Sequence, residues 1–399
     1  METLSRGLDL GGSEVRIGIT ENEIYPWPAK CMEIAPDAPI KTYLGDESSY
    51  DDFVIVKHPL KVLEGRRFVR NDVIDHFNGK AVYCDNQSPK TMQEATYINA
   101  AHAVARIAAE KGDNDFITKL GVCIPTSEFY ADIDYVSEMR NRLIGDYTIK
   151  FPLVGLEINY QVPEGGVVIT PEGVVAVYAY SKIPSFREGI TLIVDVGERS
   201  TDITILKNFK PIGQSAASRP IGGVNIEAYV RSEMEKDGIL LNADQVSKLL
   251  THRYIITDTD LVDVTDVVTA AGSNVESVKQ GIFTKCNRVT DADVDNAMNR
   301  YFIKQGDKIK DVTDYVIDAK EVFASSAREA INEVLNKSMY NIAAVNNFVP
   351  IGRAFSGSVT SESSLVRILV EELHCTATVY QPENLATANV ASIMAAMRK

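Results

Sequence analysis

Cysteine, histidine and long apolar runs are all scarce in this sequence. The five cysteines lie far apart without a Cys-x-x-Cys pair, which argues against a disulfide scaffold or a zinc site and favours a reducing compartment. The five histidines have no metal-ligand spacing. No uninterrupted apolar run reaches the roughly 18 residues that a membrane span requires, and the N-terminus lacks the apolar segment of a signal peptide. We therefore expect a cytoplasmic protein that makes no membrane contact.

Positive charge is also in short supply. The 399 residues include 41 Lys and Arg against 55 Asp and Glu, a formal net charge of −14. A negative surface repels a phosphate backbone, so direct nucleic-acid binding is not expected. The apolar fraction of 45% is typical of a globular protein, and the length is sufficient for two domains with separate cores.

Strand-like and helix-like segments alternate along the chain, which predicts an α/β architecture. Ser88-Pro89 has the composition of a helix start, and Gly112 that of a C-terminal cap. Thr290 to Asp293 resembles a capping box, and a long helix is predicted over roughly Val312 to Tyr340.

Two segments share one plan of strand, Asp-x-Gly, polar turn and strand. They are LDLGGSEVRIGI, which begins at Leu8, and VDVGERSTDITIL, which begins at Val194. A glycine-containing turn between strands directs several backbone N–H groups at one point and can bind a phosphate. A carboxylate at the strand end is placed to hold Mg²⁺ through water. One such hairpin is a common turn, whereas two copies favour a phosphate clamp.

The two hairpins therefore supply most of the candidate site residues. Asp9 and Asp195 are the predicted metal ligands, acting through water so that the ion keeps part of its hydration shell. Asp202 either supports the metal or satisfies turn amides, and Arg16 either offsets phosphate charge or is a solvated strand residue. The predicted phosphate-binding positions are Gly11, Gly12, Ser13, Arg16, Gly197, Glu198, Arg199, Ser200 and Thr201.

The order of motifs resembles that of the actin/Hsp70/sugar-kinase ATPase superfamily, and within it the ParM-like bacterial actins. The two hairpins resemble its phosphate motifs, and GVCIPTSEFYADID resembles the segment that supplies the hydrolytic residue. PEGVVAVYAYS resembles the helix before the second phosphate loop, and FVPIGRAF occupies the place of the adenosine motif. LATANVASIMAA resembles the C-terminal helix that returns to the first domain.

This resemblance implies an actin-like ATPase fold with two related domains flanking a nucleotide cleft. The first domain would span residues 1–180 and be closed by a helix at 384–399. The second would span 181–383, with a mostly helical subdomain at about 237–311. The implied cofactors are Mg²⁺ and ATP, with GTP as the alternative nucleotide.

The resemblance also assigns roles to individual residues. Glu128, in the Ser-Glu-Phe-Tyr run, would orient the attacking water, and Asp195 would assist catalysis through the metal. Gly222 and Gly223 would lie near the phosphates, and Gly352 and Arg353 would contact the adenosine. The sequence departs from the family pattern at Arg353, where a second glycine is common, and at the charged pair Glu198-Arg199.

The implied function is an ATP-dependent filament that segregates plasmid DNA through a DNA-binding adaptor protein, with hydrolysis controlling filament turnover. The partners would be further copies of the chain and the adaptor. A small-molecule kinase of the same superfamily and a non-plasmid bacterial or archaeal actin are the alternatives. A chaperone-type ATPase would normally carry a substrate-binding domain after the closing helix.

Overall fold

The computed structural model divides into two compact units. One comprises Met1–Tyr180 with Thr387–Lys399, and the other comprises Ser181–Ala386. No helix in the described ranges is both long and apolar enough to cross a bilayer. The structure describes residues 2–12, 14–39, 50–70, 74, 79–84, 88–257, 260–271, 274–355, 361–382 and 388–397.

The first unit is built on one large sheet. In the described part of the chain this sheet has 11 strands in the order β3-β2-β1-β8-β10-β9-β5-β6-β4-β7, and β11 also pairs with β8. Its strands are β1 (Glu2–Leu10), β2 (Glu14–Gly18), β3 (Ile24–Pro28), β4 (Cys31–Ile34), β5 (Asp52–Lys57), β6 (Arg67–Arg70), β7 (Lys80–Val82), β8 (Asp115–Ile124), β9 (Gly145–Phe151), β10 (Leu156–Val162) and β11 (Val167–Pro171).

Three strands of this sheet run parallel and end together. β1 and β11 flank β8, with Asp9 and Thr170 both in register with Cys123. The carboxyl ends of parallel strands meet at one sheet edge, where loops can gather polar side chains. Besides the C-terminal helix, the helices of this unit are α1 (Glu94–Lys111), α2 (Thr126–Phe129), α3 (Tyr135–Leu143) and α4 (Val174–Val177). It also has 3₁₀ turns at Lys61–Leu63, Lys90–Met92 and Tyr178–Tyr180.

Helix α1 begins later than the sequence predicts. Ser88-Pro89 leads into the 3₁₀ turn Lys90–Met92, and the α-helix starts only at Glu94. The backbone N–H groups of Lys90 and Thr91 donate to the Glu128 carboxylate, so their partner comes from a distant segment and not from a local hydroxyl cap. The end of the helix is as predicted, because Gly112 adopts the left-handed conformation with φ +83°.

The C-terminal helix, Ala388–Met397, packs on the first unit. It covers a row of glycines in neighbouring strands, since Gly7 is in register with both Gly18 and Gly121. A Cβ atom at Gly121 would lie only 2.2 Å from the Ile393 side chain. The absence of side chains along this row lets the helix approach the sheet closely.

The second unit contains a smaller sheet with strand order β14-β13-β12-β19-β20. The strands of the whole second unit are β12 (Ile190–Val196), β13 (Thr201–Lys207), β14 (Lys210–Arg219), β15 (Tyr254–Thr257), β16 (Asp260–Asp263), β17 (Phe302–Gln305), β18 (Lys308–Asp311), β19 (Val345–Ile351) and β20 (Thr378–Val379). Its helices are α5 (Pro184–Glu188), α6 (Gly223–Lys236), α7 (Ala243–Thr251), α8 (Thr265–Ala271), α9 (Val275–Cys286), α10 (Asp291–Asn299), α11 (Thr313–Lys337) and α12 (Leu365–Glu372), with 3₁₀ turns at Ile342–Ala344 and Arg353–Phe355.

The part of the second unit predicted to be mostly helical also contains two β-hairpins. β15 pairs with β16, and β17 pairs with β18. The predicted capping box is confirmed, because Thr290 and Asp293 exchange side-chain-to-backbone hydrogen bonds at the start of α10. Helices α8 to α10 enclose a small core of their own with Ile255, Val264, Val278, Ile282, Val294 and Ala297. Overall the molecule is α/β, as predicted.

Candidate functional site

The two Asp-x-Gly hairpins have the same backbone plan, one in each unit. In the first, Leu10 pairs with Val15 and encloses a four-residue turn. In the second, Val196 pairs with Thr201 and encloses a turn of the same length. In both hairpins the aspartate lies one residue before the strand pair that closes the turn. The first strand of each hairpin is also paired in parallel with an interior strand, β8 or β19.

The residue opposite the aspartate distinguishes the two hairpins. Asp9 faces Arg16, whose Nη1 lies 3.1 Å from Asp9 Oδ2, while the Arg16 Nε lies 2.6 Å from Glu14 Oε1. Burial disfavours the guanidinium charge, but the two carboxylates outweigh it and raise the pKa of Arg16. Arg16 is thus an anchored cation beside a buried carboxylate, and not a solvated strand residue.

In the second hairpin, Asp195 faces Asp202, and Asp202 is buried. Two carboxylates directly opposite each other on neighbouring strands repel one another. The second hairpin thus presents two carboxylates where the first has a carboxylate paired with an arginine, so the residues present fit Mg²⁺ better here than at the Asp9–Arg16 pair. In the described ranges no group of three or more His, Cys, Asp or Glu side chains is arranged to hold a metal by itself. Such an ion would therefore need water or phosphate oxygens as further ligands.

The first turn requires its first glycine, and the second turn leaves little room for a side chain at the equivalent position. A Cβ at Gly11 would lie 2.5 Å from the carbonyl oxygen of Glu14, and one at Gly197 would lie 3.2 Å from that of Ser200. In the second turn the Gly197 N–H donates to the Ser200 carbonyl at 2.8 Å. Gly12 also lies in the first turn, whereas Ser13 falls outside the described residues.

Helix α6 is attached to the second turn through its first residues. Gly223 N–H donates to the Gly197 carbonyl at 3.0 Å, and Val224 N–H donates to that of Glu198 at 2.9 Å. The buried Thr201 hydroxyl donates to the Ile221 carbonyl at 2.7 Å. Gly222 and Gly223 therefore lie against the predicted phosphate turn, and the Thr201 hydroxyl is engaged inside the unit.

We expect Gly222→Ala to lower the free energy of unfolding by about 1 to 3 kcal/mol, because extra atoms in a closely packed position force the backbone to shift. A Cβ at Gly222 would lie 2.5 Å from the Glu198 carbonyl oxygen. Denaturant unfolding measures the change. Gly223→Ala is the matched control, since its nearest neighbouring atom would be 3.8 Å away. Equal losses in the two variants would contradict this account of the turn.

Gly352, from the predicted adenosine motif, lies at the same sheet edge. It follows β19, the parallel partner of β12, and has φ +103°. A Cβ there would lie 2.1 Å from the Val196 carbonyl oxygen, immediately before the phosphate turn. The fold thus joins the adenosine motif and the second hairpin within one unit. Arg353 begins the 3₁₀ turn that follows.

Glu128, the predicted catalytic residue, binds backbone amides. It lies in α2, just beyond the end of β8, and its two oxygens accept the N–H groups of Lys90 at 2.7 Å and Thr91 at 3.0 Å. This arrangement ties α2 to the segment before α1. It gives Glu128 a structural role in the first unit beside any catalytic one.

A second carboxylate near this sheet edge was missed from the sequence. Glu172 directly follows β11, and its Oε1 lies 2.6 Å from Lys90 Nζ. Burial raises the pKa of Glu172; Lys90 opposes the rise, while the negative charges of Asp9 and Glu128 add to it. Burial likewise opposes the charge of Lys90, but Glu172 and Asp9 raise its pKa. Glu172 and Asp9 thus share the positive charge of Lys90.

The sequence contained a signal for Glu172 that went unused. Thr170-Pro171-Glu172 stands at the change from an apolar strand to a small-residue helix, and polar residues at such strand ends commonly form sites. Lys90 could not be found in this way, because its partner is 82 residues away in the sequence. Residues Asp9, Arg16, Glu128, Glu172 and Lys90 form a polar cluster in the first unit, and the Asp195 hairpin lies with Gly222, Gly223 and Gly352 in the second unit.

The sequence comparisons give no match. No protein-family model matches the chain, and no curated protein matches it in sequence. Solved structures match along almost its whole length and define the class of fold: the chain has the actin-like fold.

Three of these structures illustrate the likeness. The archaeal actin homolog Ta0583 is 15% identical with a TM-score of 0.62, covering 99% of this chain and 100% of that one. ParM of Bacillus thuringiensis with ATP is 16% identical with a TM-score of 0.63, covering 99% and 98%. The actin-like protein Alp7A is 14% identical with a TM-score of 0.66, covering 99% and 96%. The resemblance in fold to ParM-like actins is therefore confirmed.

Proposed function

We propose that this protein is an ATP-dependent, filament-forming actin-like ATPase. The observation that carries the proposal is the repeated hairpin, with the same turn length and aspartate position in each unit. The Bacillus thuringiensis ParM structures contain ATP or AMPPNP, which supports a nucleotide as the ligand here. A pCBH ParM of similar fold was solved as a non-polymerisable quadruple mutant, which supports polymerisation as the activity to test.

Within this proposal the two hairpins contact the nucleotide phosphates through their turns. Asp9 and Asp195 would hold Mg²⁺ through water, and a bound ion would supply charge neutralisation at the phosphates. Asp202 supports the metal side of the second hairpin, and Arg16 adds a fixed positive charge at the first. Gly352 and Arg353 contact the adenosine, with ATP as the nucleotide and GTP as the alternative.

Either of two carboxylates could orient the attacking water. Glu128 is the prediction from the sequence motif. The geometry favours Glu172, because both oxygens of Glu128 already accept backbone N–H groups. The raised pKa of Glu172 also brings a carboxylate closer to the range in which a general base works well near neutral pH. Lys90 keeps Glu172 in place and balances its charge.

The biological role that we propose is plasmid DNA segregation in the cytoplasm through a DNA-binding adaptor protein. The net charge of −14 supports an adaptor in place of direct DNA contact. A non-plasmid role is the second candidate, because an archaeal actin homolog matches the fold equally well.

Sedimentation and light scattering of the purified protein test the proposal. We expect polymer with ATP and Mg²⁺, monomer without nucleotide, and slower disassembly in variants that cannot hydrolyse ATP, including Glu128→Ala if that residue is catalytic. GTP in parallel reactions determines the nucleotide preference. A protein that stays monomeric with every nucleotide and transfers phosphate to a metabolite would instead be a small-molecule kinase.

A further inference from the structure

The C-terminal helix reaches a loop that the proposed mechanism depends on. Its residue Asn389 is buried, and Asn389 Oδ1 accepts the backbone N–H of Gly173 at 2.9 Å. The two residues are 216 positions apart in the sequence. Gly173 directly follows Glu172 and has φ +72°, a conformation that other residues adopt only with strain.

The peptide group between Glu172 and Gly173 is held at both ends. Its N–H donates to Asn389, and its carbonyl oxygen accepts the Thr126 hydroxyl at 2.7 Å. The preceding N–H, that of Glu172, donates to the Ile124 carbonyl at 2.8 Å. The Glu172 side chain is fixed separately by Lys90. The backbone at Glu172 is therefore hydrogen-bonded to β8 and α2, and Asn389 adds one further hydrogen bond from the C-terminal helix.

The helix that carries Asn389 is held on the sheet by several side chains, Val390, Ile393 and Met394, which lie over the glycine row. The next residue, Val390, is fully buried, and a Cβ at Gly18 would lie 2.7 Å from its Cγ1. The helix thus lies directly on the glycine row, which limits any sliding. This packing places the side-chain amide of Asn389 beside the Gly173 N–H.

We propose that Asn389 is a positioning residue for Glu172, which links the C-terminal helix to ATP hydrolysis. This inference rests on the proposed function. Asn389 acts by fixing the Gly173 N–H and thereby the direction in which Glu172 leaves the strand. Displacements of about 1 Å in a catalytic group can cost up to about 100-fold in rate.

The test compares Asn389→Ala with its neighbour Val390→Ala. Asn389→Ala is expected to lower kcat by about 10- to 100-fold with ATP affinity changed less than about twofold, because the phosphate turns are untouched. Hydrogen exchange should become faster at Gly173 and Val174. Val390→Ala loses packing and lowers the melting temperature, but it is expected to keep kcat within about twofold, because Ile393 and Met394 still hold the helix on the glycine row. Asn389→Asp retains an acceptor for Gly173 and should restore both protection and most of the rate.

The outcomes separate this inference from the function on which it rests. An active wild-type protein whose Asn389→Ala variant hydrolyses ATP as fast as Val390→Ala would overturn the positioning role alone. The same holds if Asn389→Ala weakens ATP binding and leaves kcat unchanged. A wild-type protein with no nucleotide hydrolysis would overturn the proposed function, whatever the rate of hydrogen exchange at Gly173.

Discussion

Replacing Glu172 with Gln is expected to slow ATP hydrolysis by about 100- to 1000-fold while leaving ATP affinity nearly unchanged. Glutamine keeps the size of the side chain and can still contact Lys90, but it cannot accept a proton. The variant thus removes the chemistry of the carboxylate. It also removes the charge partner of Lys90, so denaturant unfolding is measured alongside to show that the variant is folded under the assay conditions. Single-turnover hydrolysis and a separate ATP-binding titration measure the two quantities.

Glu128→Gln is the matched comparison, because Glu128 lies near the same sheet edge. In this variant the Lys90 or Thr91 N–H loses its acceptor. We expect a clear decrease in the free energy of unfolding and little change in the rate of hydrolysis. If Glu128→Gln instead abolishes hydrolysis at unchanged stability, and Glu172→Gln does not, Glu128 is the catalytic carboxylate and Glu172 a structural one.

The pH dependence of hydrolysis gives an independent readout of the same site. The pKa of Glu172 is raised above its ordinary value, chiefly by burial. Its active, deprotonated form is therefore lost at a higher pH than for an exposed glutamate, and the wild-type rate should fall on mild acidification. The residual rate of Glu172→Gln should lack that fall, since glutamine does not titrate. If the hydrolysis rate of both proteins falls in the same way on acidification, the group that titrates is not Glu172.

The second large effect is expected for Tyr301→Phe in the second unit. The buried Tyr301 hydroxyl oxygen lies 3.1 Å from Arg253 Nη2 and 2.7 Å from Lys320 Nζ. Both cations are themselves buried, and Lys320 also donates to the Ser363 carbonyl at 2.7 Å. Removing the hydroxyl leaves two buried cations without their shared acceptor. We expect a loss of about 3 to 5 kcal/mol in the free energy of unfolding.

The same cluster predicts an unusual dependence of stability on pH. Burial alone would raise the pKa of Tyr301, but Arg253 and Lys320 outweigh it and lower the pKa to about 7. Burial also lowers the pKa of Lys320. Both groups therefore hold fewer protons folded than unfolded, so their contribution to stability rises with pH. For Tyr301 it is complete above the ordinary tyrosine pKa of about 10 and is lost as pH falls through about 7.

Denaturant unfolding at several pH values between 7 and 9 tests this account. The stability difference between the wild type and Tyr301→Phe should widen as pH rises, and the wild type should show tyrosinate absorbance that the variant lacks. Tyr315→Phe is the control, because its hydroxyl bonds to the exposed Asp237. A pH-independent difference without tyrosinate absorbance would show that Tyr301 remains neutral and acts only as a hydrogen-bond acceptor.

Local rules predicted much of the secondary structure. Gly112 ends a helix and Thr290 begins one, because each acts on backbone groups within a few residues of itself. The start of α1 could not be predicted in the same way. The N–H groups of Lys90 and Thr91 are satisfied by Glu128, which is distant in the sequence, so no local pattern marks the boundary.

The two hairpins could be predicted from the sequence, because Asp-x-Gly between apolar strands is a contiguous signal for a turn. The order of the motifs along the chain also predicted the actin-like fold. Three contacts become visible only in the folded chain: Lys90 pairs with Glu172, Asn389 accepts the N–H of the next peptide group, and Asp202 faces Asp195. The first two contacts depend on strands and helices that pack from remote parts of the chain. The third depends on the alignment of two strands, which fixes which side chains face each other and hence the charge at the site.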